Sequence, residues 1–170
     1  MCPTGGLLLE TVGKAENLSQ GREMIEEIIN SGAALSTFER MLVNQNVDPE
    51  VAKELCHGDV NKILPRAKLS TPLTVSSAGR VTDIDSLTIS HVCGAMGASR
   101  ARASDVIQFA VGLELLVKVG QVMAEGDTWA VLQHETPLPP ELRARLDGAI
   151  VIDQTTSAYT PLNIIIETIR

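Results

Sequence analysis

The spacing of apolar and polar positions divides the chain into a helical front and a strand-rich rear. Leu7, Leu8, Leu9 and Val12 form a short apolar stretch within Gly6 to Ala15, with no capping residue ahead of it. A helix that starts so abruptly predicts that its leucines are covered by something upstream, as in the interior of a larger protein. Asn17 is placed to cap a second helix, since its side-chain oxygen can take an N–H that lacks an intrahelical acceptor. Met24, Ile25, Ile28 and Ile29 then recur at helical spacing as one stripe, with Glu23, Glu26 and Glu27 outside it, and Gly32 stops the helix. Ser36 with Glu39 predicts a capping box for a third helix presenting Leu35, Phe38, Met41 and Leu42. Asp48 followed by Pro49 reads as an N-cap with proline at the first helical position. Val51, Ala52, Leu55 and Cys56 then face inward until Gly58.

After Pro65 the period changes. Leu73 to Ser76 and Arg80 to Ile84 are short strand candidates separated by Ala78-Gly79. Asp85 can cap a helix running to about Met96, with Leu87, Ile89, Val92 and Met96 as core candidates. Gly97 to Asp105 reads as a polar loop holding Arg100 and Arg102, and Val111 to Val119 as a largely buried strand. Gly120 and Gly126-Asp127 mark turns, and Trp129 to Gln133 is the next strand. Pro137, Pro139 and Pro140 break the chain before a charged helix from Glu141 to about Asp147, and Ile150 to Ile152 and Ile164 to Ile169 are the last strands. The fold expected is α+β: N-terminal helices, then a small mixed-sheet, barrel-like C-terminal α/β module.

Composition narrows the function classes. Hydrophobic residues make up 44% of the 170, enough for a packed core, yet no apolar run approaches the length of a membrane span. Aromatics at 2% and a formal net charge of -7 argue against a protein that stacks bases or binds phosphate backbones and anionic membranes. Neither nucleic acid nor a membrane is therefore an expected partner. Cys2, Cys56 and Cys93 are odd in number and widely spread, and His57, His91 and His134 are scattered. With no chelating or disulfide spacing, these read as small buried thiols and a surface imidazole, and a reducing, cytoplasmic setting is expected. Met1 to Glu10 has neither the basic region nor the apolar length of a signal peptide.

Candidate chemistry is sparse. The chain has no P-loop pattern, no GxGxxG after a strand, no HExxH and no GxSxG elbow. Gly94-Ala95-Met96-Gly97 followed by Ser99, Arg100 and Arg102 could grip a phosphate, but it follows a helix, whose end offers carbonyls and negative potential. A glycine stop, then a loop whose arginines pair with acids such as Asp105, is the favoured reading. Val119-Gly120-Gln121 with Gly126-Asp127 resembles the turns of biotinyl and lipoyl carrier domains. Lys118 lies within the strand pattern instead of at a hairpin tip, so the attachment lysine of a carrier is missing.

Several blocks in order resemble the thymidine and pyrimidine nucleoside phosphorylases. In the front these are Gly32-Ala33-Ala34-Leu35, Phe38-Glu39-Arg40-Met41-Leu42, Gln45, Val47-Asp48-Pro49, Leu55-Cys56 and Leu64-Pro65. Behind them come Ile84-Asp85 with Leu87 and Ile89, then Gly97-Ala98-Ser99-Arg100-Ala101-Arg102 with Asp105. Ser99 stands where the family usually has glycine. Ala110-Val111-Gly112, Glu114-Leu115-Leu116-Val117, Val119-Gly120-Gln121, Gly126 and Trp129 complete the series. The Phe-Glu-Arg-Met-Leu block and Trp129 are closer to the animal enzyme than to the bacterial ones.

The resemblance implies reversible phosphorolysis, in which thymidine and inorganic phosphate give thymine and 2-deoxyribose 1-phosphate. It further implies that the family's phosphate- and base-binding residues precede this stretch, so no catalytic, cofactor-binding or metal residue is assigned here. Inorganic phosphate would be a co-substrate, with no cofactor. Residues 1–67 would belong to the family's catalytic α/β domain and residues 68–170 would be its C-terminal domain. The expected partners are the missing N-terminal part of the enzyme, a second subunit in a homodimer and a small-molecule nucleoside, and the chain alone is expected to be inactive. The alternative is a free-standing, non-catalytic scaffold or regulatory module derived from this family.

Overall fold

A computed structural model describes residues 3–100 and 102–155. The chain divides into two compact units, Met1–Leu64 and Pro65–Arg170.

The first unit is helical: α1 (Pro3–Thr11), α2 (Leu18–Asn30), α3 (Ala33–Asn44) and α4 (Pro49–His57), followed by a short 3-10 turn at Val60–Lys62. α1 begins three residues ahead of the expected Gly6 and ends at Thr11. It lies against α2 at a point where both helices lack side chains. A Cβ on Gly21 would collide with the carbonyl oxygen of Gly6 and lie 2.9 Å from its Cα. Asn17 caps α2 through a 3.0 Å bond accepted from the Gln20 N–H. Gly32, at φ +80°, ends that helix in a left-handed conformation that only glycine adopts cheaply. α3 opens directly behind it, without the expected capping box. Ser36 sits inside the helix, and its Oγ donates back to the Gly32 carbonyl at 3.2 Å, a contact available only once the turn before it is helical. Asp48 does cap α4, accepting from the Glu50 and Val51 N–H groups, with Pro49 behind it. His57 Nε2 and Glu39 Oε2 meet at 2.9 Å, tying α4 to α3.

This unit covers little of its own apolar surface. Ala52 is fully buried and Leu55 and Cys56 partly so, but Ile28, Ile29, Leu35, Phe38, Met41 and Val51 are exposed. The stripes expected on α2 and α3 exist, and within this unit only Met24, Ile25 and Leu42 of them are partly covered.

The second unit holds two three-stranded sheets and two helices: β1 (Leu69–Thr74), β2 (Gly79–Ile84), α5 (Ser86–Cys93), β3 (Gly112–Leu115), β4 (Val122–Met123), β5 (Thr128–His134), α6 (Pro140–Asp147) and β6 (Ile150–Asp153). The strand orders are β1-β5-β3 and β4-β2-β6. The α+β class holds, with helices first and strands behind. Every described strand pair is antiparallel and the strands divide into two sheets, which replaces the single mixed sheet of the sequence reading. β1 and β2 are neighbours in sequence but belong to different sheets: β1 pairs along its length with β5, and β2 lies between β4 and β6.

β5 is the middle of this unit. A bulge opposite Leu73 and Thr74 leaves Trp129 as the extra residue, so Trp129 and Ala130 are both fully buried instead of alternating. Trp129 packs with Leu73, Val81, Val92, Leu132 and Leu146 in one core, and its indole N–H has no hydrogen-bond partner. Asp85 caps α5 as expected, accepting from the Leu87 and Thr88 N–H groups and the Thr88 hydroxyl. Of the core candidates on α5, Val92 and Met96 are buried and Ile89 packs against the core, whereas Leu87 is 64% exposed. The Val111–Val119 stretch is also more open than expected. β3 is an edge strand, so only Val111 is buried, and Leu115, Leu116 and Val119 are exposed. The expected strand at Ile164 to Ile169 lies outside the described residues.

Candidate functional site

The arginine loop is built by glycines. Helical winding continues from α5 through Gly94–Ala98 and breaks at Gly97, whose φ is +107°. A Cβ on Gly94 would stand 2.8 Å from the Ser99 hydroxyl oxygen, so glycine there leaves room for the Ser99 side chain as the loop folds back onto the helix. Gln108 N–H closes the base of the loop on the Gly97 carbonyl at 2.9 Å. Asp105 does meet an arginine, but through the main chain: its carboxylate accepts the Arg102 N–H at 2.8 Å. A groove of about 440 Å³ runs along this loop, lined by Ser90, His91, Gly94, Ala95, Ser99, Arg100 and Asp105. It is solvent-open and sits at the carbonyl end of α5. That matches the reading of a helix stop followed by a loop.

Lys118 stands elsewhere than the sequence placed it. β3 ends at Leu115, and Lys118 opens the turn that closes with Gln121 N–H on the Lys118 carbonyl at 3.1 Å. The turn leads into β4, which pairs with β2 and not with β3, so it links two sheets and is not the tip of a hairpin.

His134 is the polar residue that the sequence reading missed. It was given no depth beyond being one of three scattered histidines, and it is 3% exposed. Ala130, Leu132 and His134 alternate along β5, so all three share the buried face. That period of two was the available signal. Both ring nitrogens are engaged. Nδ1 lies 2.7 Å from the Thr136 carbonyl, which only accepts, so Nδ1 donates to it, and in the neutral ring Nε2 is then the acceptor. Nε2 then accepts from the Thr71 hydroxyl at 2.8 Å. The register explains the meeting: Thr71 pairs with Leu132, and His134 is its diagonal neighbour on the same face.

This pair lines a solvent-open depression of about 670 Å³, bordered by Leu69, Pro137, Leu138 and Pro140 and flanked by Arg143. Arg143 Nε donates to Asp147 at 2.8 Å and its Nη1 reaches the Pro72 carbonyl at 3.5 Å. Beside it, Lys68 and Glu135 pair at 2.9 Å, and the ammonium holds the Glu135 carboxyl below its ordinary range. Among the described residues no group of three or more His, Cys, Asp or Glu side chains is arranged to hold a metal ion. Cys56 and Cys93 are free thiols, and burial pushes the Cys93 thiol up from its ordinary value.

The pyrimidine nucleoside phosphorylase C-terminal domain family matches residues 80–153, the stretch from β2 to β6. Across nearly its whole length the chain is similar to the C-terminal part of curated thymidine and pyrimidine-nucleoside phosphorylases. It is 35% identical to the thymidine phosphorylase of Homo sapiens over 159 residues, which are 91% of this chain and 33% of the relative. The mouse thymidine phosphorylase is 34% identical over 92% of the chain and 34% of its own length. A pyrimidine-nucleoside phosphorylase of Staphylococcus aureus is 31% identical over 96% of the chain and 36% of its own length. The chain thus spans about a third of the length of the curated relatives it matches. The greater identity to the mammalian proteins agrees with the animal-like blocks around Phe38 and Trp129.

The matched stretch carries the arginine loop, the Gly120 and Gly126 turns and the Trp129 core. β1, which supplies Thr71, precedes residue 80 and falls outside the family match.

Proposed function

We propose that the chain works as the C-terminal part of a thymidine phosphorylase, converting thymidine and inorganic phosphate to thymine and 2-deoxyribose 1-phosphate. On this reading the chain contributes scaffold, and the groups that bind phosphate and base are supplied by further polypeptide. One observation carries it: more than nine-tenths of the chain aligns with the thymidine phosphorylases of human and mouse, yet covers only a third of each. The uncovered stripe of Ile28, Ile29, Leu35, Phe38 and Met41 supports the same reading, since a helical face of that kind gains most of its stability from packing.

Residues 1–67 are then the share of the catalytic α/β domain and residues 68–170 the domain that supports it. The active form is a cytoplasmic homodimer that takes a nucleoside and inorganic phosphate and needs no cofactor. The test is thymine release from thymidine and phosphate by the purified 170-residue chain. No release is expected, and measurable phosphorolysis by the chain alone would overturn the scaffold role.

A second reading rests on the second unit, whose core is closed around Trp129, Leu132 and Leu146 without help. That favours a free-standing scaffold or regulatory module. A monodisperse chain with a sharp thermal transition and no binding of a hydrophobic dye would support it. Strong dye binding with a broad transition would support the larger enzyme.

A further inference from the structure

We propose that Thr71 and His134 form a nucleophile–base pair that takes the acyl group of small esters with an apolar acyl chain. Three observations meet at one depression. The Thr71 hydroxyl donates to His134 Nε2 at 2.8 Å, within the reach that proton abstraction requires. The Nδ1–H of the same ring is fixed on the Thr136 carbonyl at 2.7 Å, so the bare nitrogen faces the hydroxyl and the ring cannot turn away. The pair lines a solvent-open, mainly apolar depression of about 670 Å³ shared with Leu69, Leu138 and Arg143. A latch between two strands accounts for the hydrogen bond but does not require a depression beside it.

The chemistry closes with water as the only further reactant. Thr71 Oγ attacks the ester carbonyl carbon while its proton passes to His134 Nε2. The tetrahedral oxyanion collapses, the C–O bond to the alcohol breaks, and the alcohol leaves with the proton from Nε2. Water then attacks the acyl-threonine with His134 again as base, releasing the carboxylic acid and restoring the hydroxyl. Arg143 is the donor for the oxyanion. Its guanidinium has five N–H groups, and the contacts to Asp147 and Pro72 engage only Nε and Nη1. Leu69, Pro137 and Leu138 give the acyl chain an apolar wall.

The test uses the full chain with p-nitrophenyl butyrate, following nitrophenolate release and mapping the acyl group by peptide mass. Butyrylation of Thr71 is expected, and His134→Gln should slow it about 100-fold or more, the usual worth of a positioned base. Thr71→Ser keeps the pair and removes a hindering methyl, so it should acylate faster at the same position. That variant decides the matter if the glutamine variant does not fold. Acylation confined to lysines and the N-terminus would overturn the proposal, as would a His134→Gln chain labelled at Thr71 at the parent rate.

Discussion

Replacing Gly21 with alanine tests whether α1 is held to α2 by backbone contact. An added Cβ would overlap the Gly6 carbonyl oxygen and stand 2.9 Å and 3.0 Å from the Gly6 Cα and C, all of them main-chain atoms that cannot swing aside. Relief therefore requires α1 to move as a body. Overpacking of this sort costs about 1–3 kcal/mol. Alanine in a helix interior recovers up to about 1 kcal/mol of backbone entropy relative to glycine. The net is a loss of roughly 1–2 kcal/mol, and it falls on the docking of α1 alone. A nine-residue helix is marginal once undocked, so α1 should fray while α3 and α4 keep their caps. Amide hydrogen exchange read by mass spectrometry checks this directly. Protection across Pro3–Thr11 should fall in Gly21→Ala, with Pro49–His57 unchanged. Gly112→Ala is the control, because no atom lies within 4 Å of a Cβ there. Undiminished protection in α1 would show that the Gly6–Gly21 contact does not hold the helix.

Three further outcomes follow from the second unit. Trp129→Ala should cost about 3–5 kcal/mol by urea unfolding, whereas Trp129→Phe should stay within about 1 kcal/mol of the parent. The smaller ring opens a cavity but also removes an indole N–H buried without a partner; equal losses would mean that the N–H is satisfied. Thr71→Val should cost about 1–3 kcal/mol, because it leaves His134 Nε2 buried without a donor. A loss no larger than that of an exposed valine substitution would contradict the Thr71 bond. The Asp85 carboxyl is held below its ordinary range, first by the Thr88 hydroxyl and then by the Thr88 N–H. A depressed folded-state value stabilises above the unfolded carboxylate range, and this is lost as pH falls through the lowered folded value. Protection of α5 should therefore drop on acidification, and Asp85→Asn should flatten that dependence.

What the sequence made legible was local. Asn17, Asp48 and Asp85 cap the helices assigned to them, and Gly32 and Gly58 end theirs, because each device acts within about four residues and carries its own chemistry. Ser36 misled for the same reason. Its pattern satisfies a capping box, but Gly32 starts the helix one turn earlier, and the hydroxyl is left to bond backwards. Pairing was not legible. β1 and β2 are separated by a glycine turn that suits a hairpin, and the choice of β5 for β1 depends on a core more than fifty residues away. The burial of His134 followed from that pairing, since a lone imidazole carries no mark of depth until its strand has a partner on each side.

Exposure of Leu87, Leu115 and Leu116 was equally hidden, and here the cause is a different one. Periodicity reports which residues share a face; it does not report whether anything covers that face. On β5 the face with Ala130 and Leu132 is covered within the unit, so the alternation and the burial agree. On α2 and α3 the periodicity is at least as regular, yet Ile28, Phe38 and Met41 remain open. Spacing and cover are separate properties of a stripe. The two units therefore bear differently on function. The second closes its own core and can hold a pair such as Thr71 and His134 in place, whereas the helices of the first leave Ile28, Phe38 and Met41 open.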